Sequence, residues 1–175
     1  MKKIIAFGAS SSKTSINKQL ATYTANQFEN TTVELLDLNN FELPVFSIDK
    51  ENETGIPQLA HDFYTKIGSA DLVIISFAEH NGNYSAAYKN IFDWTSRINA
   101  KVYQQKPVLL LATSPGARGA SSVLEITKSS FPFQGAQVKG SFSLPSFYDN
   151  FDTEKGIINE ELKMQLFEII KAIEF

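Results

Sequence analysis

The residues best equipped for chemistry fall in three short stretches, each directly after an apolar run. Gly8 to Asn17, GASSSKTSIN, sets four serines and a threonine beside one lysine, just ahead of a helical pattern. A helix N-terminus presents unpaired N–H groups and a partial positive charge. The hydroxyls of Ser10, Ser12 and Ser15 and the amide of Asn17 add neutral donors. Such a set suits an anion, a phosphate in particular, without a large positive charge. Helix capping alone is the competing explanation, but a cap needs one residue and this loop supplies several.

Two better-known phosphate loops do not fit. A triphosphate P-loop needs glycine directly before the lysine; here Ser12 precedes Lys13, and Gly8 is one residue too close. The dinucleotide pattern G-x-G-x-x-G fails because Gly8 is the loop's only glycine. Asp37 reads as a solvated residue at a strand end rather than a ribose ligand.

The second stretch, Ala78 to Ser85, reads AEHNGNYS. Asn81-Gly82 signals a tight turn, and a glycine there permits positive φ and close approach of a flat ring. His80 is placed to pack on such a ring or hydrogen-bond to it; a loop residue with no catalytic role is the preferred reading over a general acid or base. Tyr88 and Trp94 follow on a helix with apolar neighbours, where core packing is favoured over a subunit contact. The third stretch, Ser114 to Ser122, reads SPGARGASS and offers Gly116 and Gly119 as a further wall.

The elements that must carry these loops alternate strictly. Strands are expected at Lys3 to Gly8, Thr32 to Leu38, Asp71 to Phe77, Pro107 to Thr113 and Ala136 to Leu144. Helical periodicity runs through Ile16, Leu20, Tyr23 and Phe28, then Ile56, Leu59, Phe63 and Ile67, then Ala87, Tyr88, Ile91 and Phe92. Further helices are expected at Ala120 to Ser130 and Asn159 to Ile173, with a loop over Asn39 to Gly55. Five strands in βα alternation fold most economically as a parallel sheet with helices on both faces, in the order 2-1-3-4-5. In that order the three stretches meet at the carboxyl ends of strands 1, 3 and 4, where such sheets bind ligands.

The 175 residues suit one domain, residues 1–175, with no internal repeat. At 43% apolar and 20% charged the composition is that of a globular protein. With no cysteine there is no disulfide or thiol chemistry. A net charge of −3 without a basic block argues against nucleic acid. No apolar run approaches the roughly 18 residues of a membrane helix, and a cytoplasmic location is the expectation.

With these loops in place, the chain resembles the NAD(P)H-dependent FMN reductases, a family that includes chromate, quinone and azo-dye reductases. The family's first loop, G-S-x-R-x-x-S-x-N, is matched by Gly8, Ser15 and Asn17, with Ser12 where arginine is usual. Its second, P-E-Y-N-G-S followed by K-N-x-x-D-W-x-S-R, is matched by Glu79, Asn81, Gly82, Lys89, Asn90, Asp93, Trp94, Ser96 and Arg97, while Ala78, His80 and Asn83 depart. Its third, S-P-G-x-x-G, is matched by Ser114, Pro115, Gly116 and Gly119.

The resemblance implies a flavodoxin-like three-layer α/β sandwich, with FMN as cofactor and NADPH or NADH as cosubstrate. It implies a small-molecule electron acceptor and assembly as a homodimer or homotetramer. Ser10, Ser12, Ser15, Ile16 and Asn17 would hold the flavin phosphate; Glu79, His80, Asn81, Gly82, Ser114, Gly116 and Gly119 would flank the ring. Lys13 is the nearest cation that could replace the missing arginine. Two other readings stay open: an FMN-binding electron-transfer module without nicotinamide turnover, and a family member that has lost FMN.

Overall fold

Strands apolar on both faces must be covered on both, and this requirement shapes the molecule. The computed structural model describes all 175 residues. Its central sheet has five parallel strands, β1 (Lys2–Ala9), β2 (Thr31–Leu35), β3 (Leu72–Phe77), β4 (Pro107–Thr113) and β5 (Gln137–Leu144). They lie side by side in the order β2-β1-β3-β4-β5, the flavodoxin-like arrangement that the alternation implies.

The helices are α1 (Ile16–Ala25), α2 (Ile48–Thr54), α3 (Gln58–Gly68), α4 (Ala86–Ser96), α5 (Ser121–Ser130) and α6 (Glu160–Lys171). Successive strand residues point to opposite faces. Ile4, Ala6, Leu72 and Ile74 pack with Leu20 of α1 and Leu166 and Ile170 of α6. Ile5, Phe7, Val73 and Ile75 pack with Phe63 of α3, Tyr88 and Trp94 of α4 and Val123 of α5.

The structure departs from the sequence expectations at several places. β2 ends at Leu35, because Asp37 caps a 3₁₀ turn over Leu38–Phe41, accepting from Asn39 N at 2.9 Å. Its second carboxylate oxygen takes Lys18 Nζ at 2.6 Å, and this hydrogen bond above all holds the Asp37 carboxyl below the usual carboxylate range. Asp37 is therefore a paired cap, not a solvated strand end. The expected loop over Asn39 to Gly55 contains α2, capped by Ser47 and closed by Gly55 at φ 74°. In α3, which starts after Pro57, Ala60, Phe63 and Ile67 are buried while Leu59 lies outside.

Within the stretch K-N-x-x-D-W-x-S-R, Asn90 and Trp94 of α4 hold the segment before α2. Asn90 Oδ1 accepts from Phe46 N at 2.9 Å, and its Nδ2 donates to Leu43 O at 3.0 Å. Trp94 Nε1 donates to Pro44 O at 2.7 Å, and Phe46 meets its ring edge-on at 5.0 Å. Arg97 reaches Glu51 at 2.8 Å. Trp94 is wholly buried, so core packing is its use and it has no surface left for a neighbouring subunit.

Gly8 sets how closely α1 lies on the sheet: a Cβ there would stand 2.5 Å from Lys18 N and 2.8 Å from its Cα. Both atoms are backbone and have little room to yield. Gly8→Ala is expected to cost about 2 kcal/mol through overpacking, a fall of roughly 4–8 °C in melting temperature for a chain of this size. An unchanged thermal melt would mean that α1 sits farther from β1.

Candidate functional site

The first loop is fixed by one buried side chain. Asn17, 3% exposed, donates from Nδ2 to Thr113 O at 3.1 Å. Its Oδ1 accepts from Thr113 N at 3.1 Å and from Ser76 Oγ at 2.7 Å. The start of α1 is thereby bonded to the ends of β3 and β4. The Asn17 side chain is thus a clamp within the protein, with Oδ1 accepting twice and one Nδ2 hydrogen donated, and its second Nδ2 hydrogen is the donor left for a ligand. Ser15, also buried, is the N-cap of α1, accepting from Lys18 N at 3.1 Å. Ser10 Oγ accepts from Ser12 N at 3.1 Å, which curls the loop, while Ser11, Ser12, Lys13 and Thr14 stay exposed.

The second loop is a miniature hairpin. Glu79 pairs with Tyr84 and His80 with Asn83, in antiparallel register. Asn81 and Gly82 form the tip at φ 53° and 77°, the pair of positive angles that a two-residue type I′ connection requires. Ser85 Oγ donates to Ala9 O at 2.7 Å and also caps α4, tying the hairpin to the end of β1. Glu79 is bound into the architecture, its Oε2 accepting from Val123 N at 3.0 Å. Helix α5 begins after Ala120 without a side-chain cap of its own, so Glu79 serves as its cap from another loop. Beneath the hairpin, the hydroxyls of Tyr88 and Tyr103 meet at 2.6 Å. Burial pushes both phenols up, so they stay neutral.

The third loop is packed rather than open at Gly119. This glycine has φ 57°, and a Cβ would strike Ser143 Oγ and stand 2.9 Å from Pro145 N. Gly116, by contrast, is exposed. Its carbonyl accepts from Gly119 N at 3.1 Å and from Ser146 N at 3.0 Å, while Ser114 O accepts from Phe147 N at 3.0 Å. The last two bonds bring in a wall that the sequence does not announce. They hold a one-turn helix, Phe147–Asn150, against the third loop and place Tyr148 over the site.

These walls enclose a cavity of about 250 Å³. From the first loop it is lined by Ser10, Ser12, Thr14, Ser15, Ile16 and Asn17; from the second by Ala78, Glu79 and His80; from the third by Thr113, Ser114 and Pro115; and by Tyr148. Asn81, Gly82, Gly116 and Gly119 lie outside it. The first two form the exposed hairpin tip beside His80, and Gly119 is a packing glycine. Lys13 lies outside as well, on the wall of a separate groove of about 560 Å³ between α1 and the segment from Phe151 to Gly156. The cavity thus offers hydroxyls and backbone N–H groups at a helix start, with no lysine or arginine among its walls. That donor set fits one compact anion with an uncharged chain attached.

Asn17→Ala is expected to destabilise the protein by about 3 kcal/mol, since Thr113 N and Ser76 Oγ lose a buried acceptor. Ser12→Ala, on an exposed residue, is expected to stay within about 0.5 kcal/mol. Chemical denaturation of both variants checks this, and equal effects would contradict the division between clamp and ligand donor.

A family profile described as NADPH-dependent FMN reductase matches residues 2–149. A quinone reductase of Escherichia coli strain K12 is 31% identical over 80 residues, covering 46% of this chain and 43% of that protein. The NADH-dependent flavin reductase subunit 2 of Lactobacillus johnsonii is 28% identical over 127 residues, covering 70% of this chain and 66% of that one. Among solved structures, FerB of Paracoccus denitrificans, a flavoenzyme NAD(P)H:(acceptor) oxidoreductase, superimposes with a TM-score of 0.76. That match covers 98% of this chain and 94% of FerB at 22% identity, a likeness of fold.

Proposed function

The chain belongs to the NADPH-dependent FMN reductase family, and from that premise we propose that it binds FMN and transfers reducing equivalents from NAD(P)H to a small acceptor. A quinone, a free flavin, an azo compound or a metal oxyanion is the acceptor class. Residues 1–175 act as one FMN-binding domain. The observation that carries this reading is the hydroxyl-lined cavity at the carboxyl ends of β1, β3 and β4, with the open hairpin tip beside it.

The residues present fit the cofactor. Ser10, Ser12, Thr14 and Ser15 supply hydroxyls, and the loop and the first turn of α1 supply N–H groups, for a terminal phosphate. A cavity of about 250 Å³ suits the phosphate-bearing chain, not a whole flavin, so the ring would lie toward Asn81-Gly82 and Ser114. FMN, when bound, would supply the redox chemistry, hydride acceptance from a nicotinamide and electron donation to the acceptor. The protein's part is to hold and orient. Ser85 and Glu79 fix the hairpin from both ends, so the surface offered to the ring is rigid. Gly82 has no protein atom within 4 Å of where a Cβ would point, which leaves that face free for a ring.

The test of the reading is binding followed by kinetics. FMN is expected to bind more tightly than FAD in a calorimetric titration, since the cavity meets one terminal phosphate. Double-reciprocal plots are expected to be parallel, because nicotinamide and acceptor take turns at a single crevice; intersecting lines would count against a shared site.

Gly82→Val isolates the hairpin tip. The strain of a branched residue at φ 77° is expected to cost about 1–2 kcal/mol of stability. Loss of ring contact is expected to weaken FMN binding at least about tenfold, or 1.4 kcal/mol. A folded variant with full flavin content would remove the hairpin tip from the site.

A further inference from the structure

The cavity that fits a phosphate has no permanent cation in its walls. Of its lining residues, the titratable ones are Glu79, His80 and Tyr148. Glu79 is engaged by Val123 N at 3.0 Å. Lys13 lines the neighbouring groove, Lys18 is bound to Asp37 at 2.6 Å, and Arg118 of the third loop donates to Ser122 Oγ at 2.8 Å. His80 is exposed and stands in the same wall set as Ser10, Ser12 and Ser15. Its backbone is held in register by the pairing with Asn83, which keeps the residue at the wall of the cavity.

We propose that His80 is the switchable cation of this cavity. With its imidazole protonated it faces the phosphate and strengthens retention of a phosphorylated flavin; deprotonated, it leaves that phosphate to neutral donors alone. Histidine is the side chain whose charge changes between about pH 5 and 8. The sign follows from charge: imidazolium attracts an anion where imidazole does not, so the added affinity is present at low pH and lost as pH rises. The phosphate opposes this, since a phosphomonoester loses its second charge near pH 6 on acidification. The contribution of His80 is therefore the difference between the wild type and a neutral variant at each pH. The inference rests on the reading that the cavity holds the FMN phosphate, and riboflavin, which lacks the phosphate, separates a charge effect from a ring contact.

The experiment is equilibrium titration of the wild type, His80→Gln and His80→Lys with FMN and with riboflavin, at about pH 5.5 and about pH 8. For FMN, His80→Gln is expected to weaken binding about tenfold at the lower pH, or 1.4 kcal/mol, and less than about twofold at the higher. His80→Lys is expected to bind FMN at the higher pH more tightly than the wild type. Riboflavin affinity is expected to change little in either variant at either pH. A His80→Gln effect equal at the two pH values, or equal for FMN and riboflavin, would overturn the proposal and assign His80 to the ring. Failure of the wild type to bind FMN at either pH would overturn the proposed function itself, and this inference with it.

Discussion

One buried amide sets the geometry on which the site depends. Asn17 satisfies both backbone groups of Thr113 and accepts from Ser76 Oγ, so the entry to α1 is bonded across to β4 and β3 within the buried interior. Such bonds are strong in a low-dielectric interior, and leaving any member unpaired there is costly. The bonds determine where the exposed hydroxyls of Ser12 and Thr14 can stand, because those residues lie between two anchors, the end of β1 and Asn17. The close approach allowed by Gly8 gives the same helix its depth. The loop hydroxyls are thus placed by a residue whose side-chain oxygen and one amide N–H are bonded within the protein.

The same separation between holding and binding recurs around the cavity. Glu79 caps α5, Asn90 and Trp94 secure the segment from Leu43 to Phe46, and Gly119 lets the third loop pass close to Ser143. Each belongs to a stretch of family-like sequence, and each works inside the protein. The side chains that face outward are fewer: Ser10, Ser12, Thr14, His80 and Tyr148. None of these is a permanent cation, and the one carboxylate in the lining, Glu79, is bonded to Val123 N. A hydroxyl-rich cavity without a lysine or arginine avoids the desolvation cost of a buried cation and leaves helix N–H groups as the source of positive potential.

Much of this architecture is legible in the sequence. Apolar runs such as Leu72 to Phe77 leave no polar face, and strict alternation with helical periodicity leaves one economical sheet order. The three loops can be located because topology alone brings the ends of strands 1, 3 and 4 together. What the sequence does not convey is which atom each motif residue engages. Asn17 looks like a ligand donor beside four serines, and only the distances to Thr113 and Ser76 show that it also clamps the loop. Tyr148 escapes a reading of the sequence because its place depends on two backbone bonds from Ser146 and Phe147 to the third loop, with no local pattern to mark them. Helix α2 escapes it because it buries none of its residues and so lacks apolar periodicity; its one signal is Ser47 ahead of Asp49 and Glu51.

The central claim is that this fold positions one FMN for reduction by a nicotinamide and reoxidation by a small acceptor. Anaerobic titration of the FMN-loaded protein with NADH and with NADPH, followed by the flavin absorbance, tests it most directly. The account predicts that at least one nicotinamide bleaches the bound flavin in a one-to-one ratio and that a quinone then restores the colour. Bound flavin that neither nicotinamide bleaches would contradict it, leaving a protein that holds FMN without turning it over.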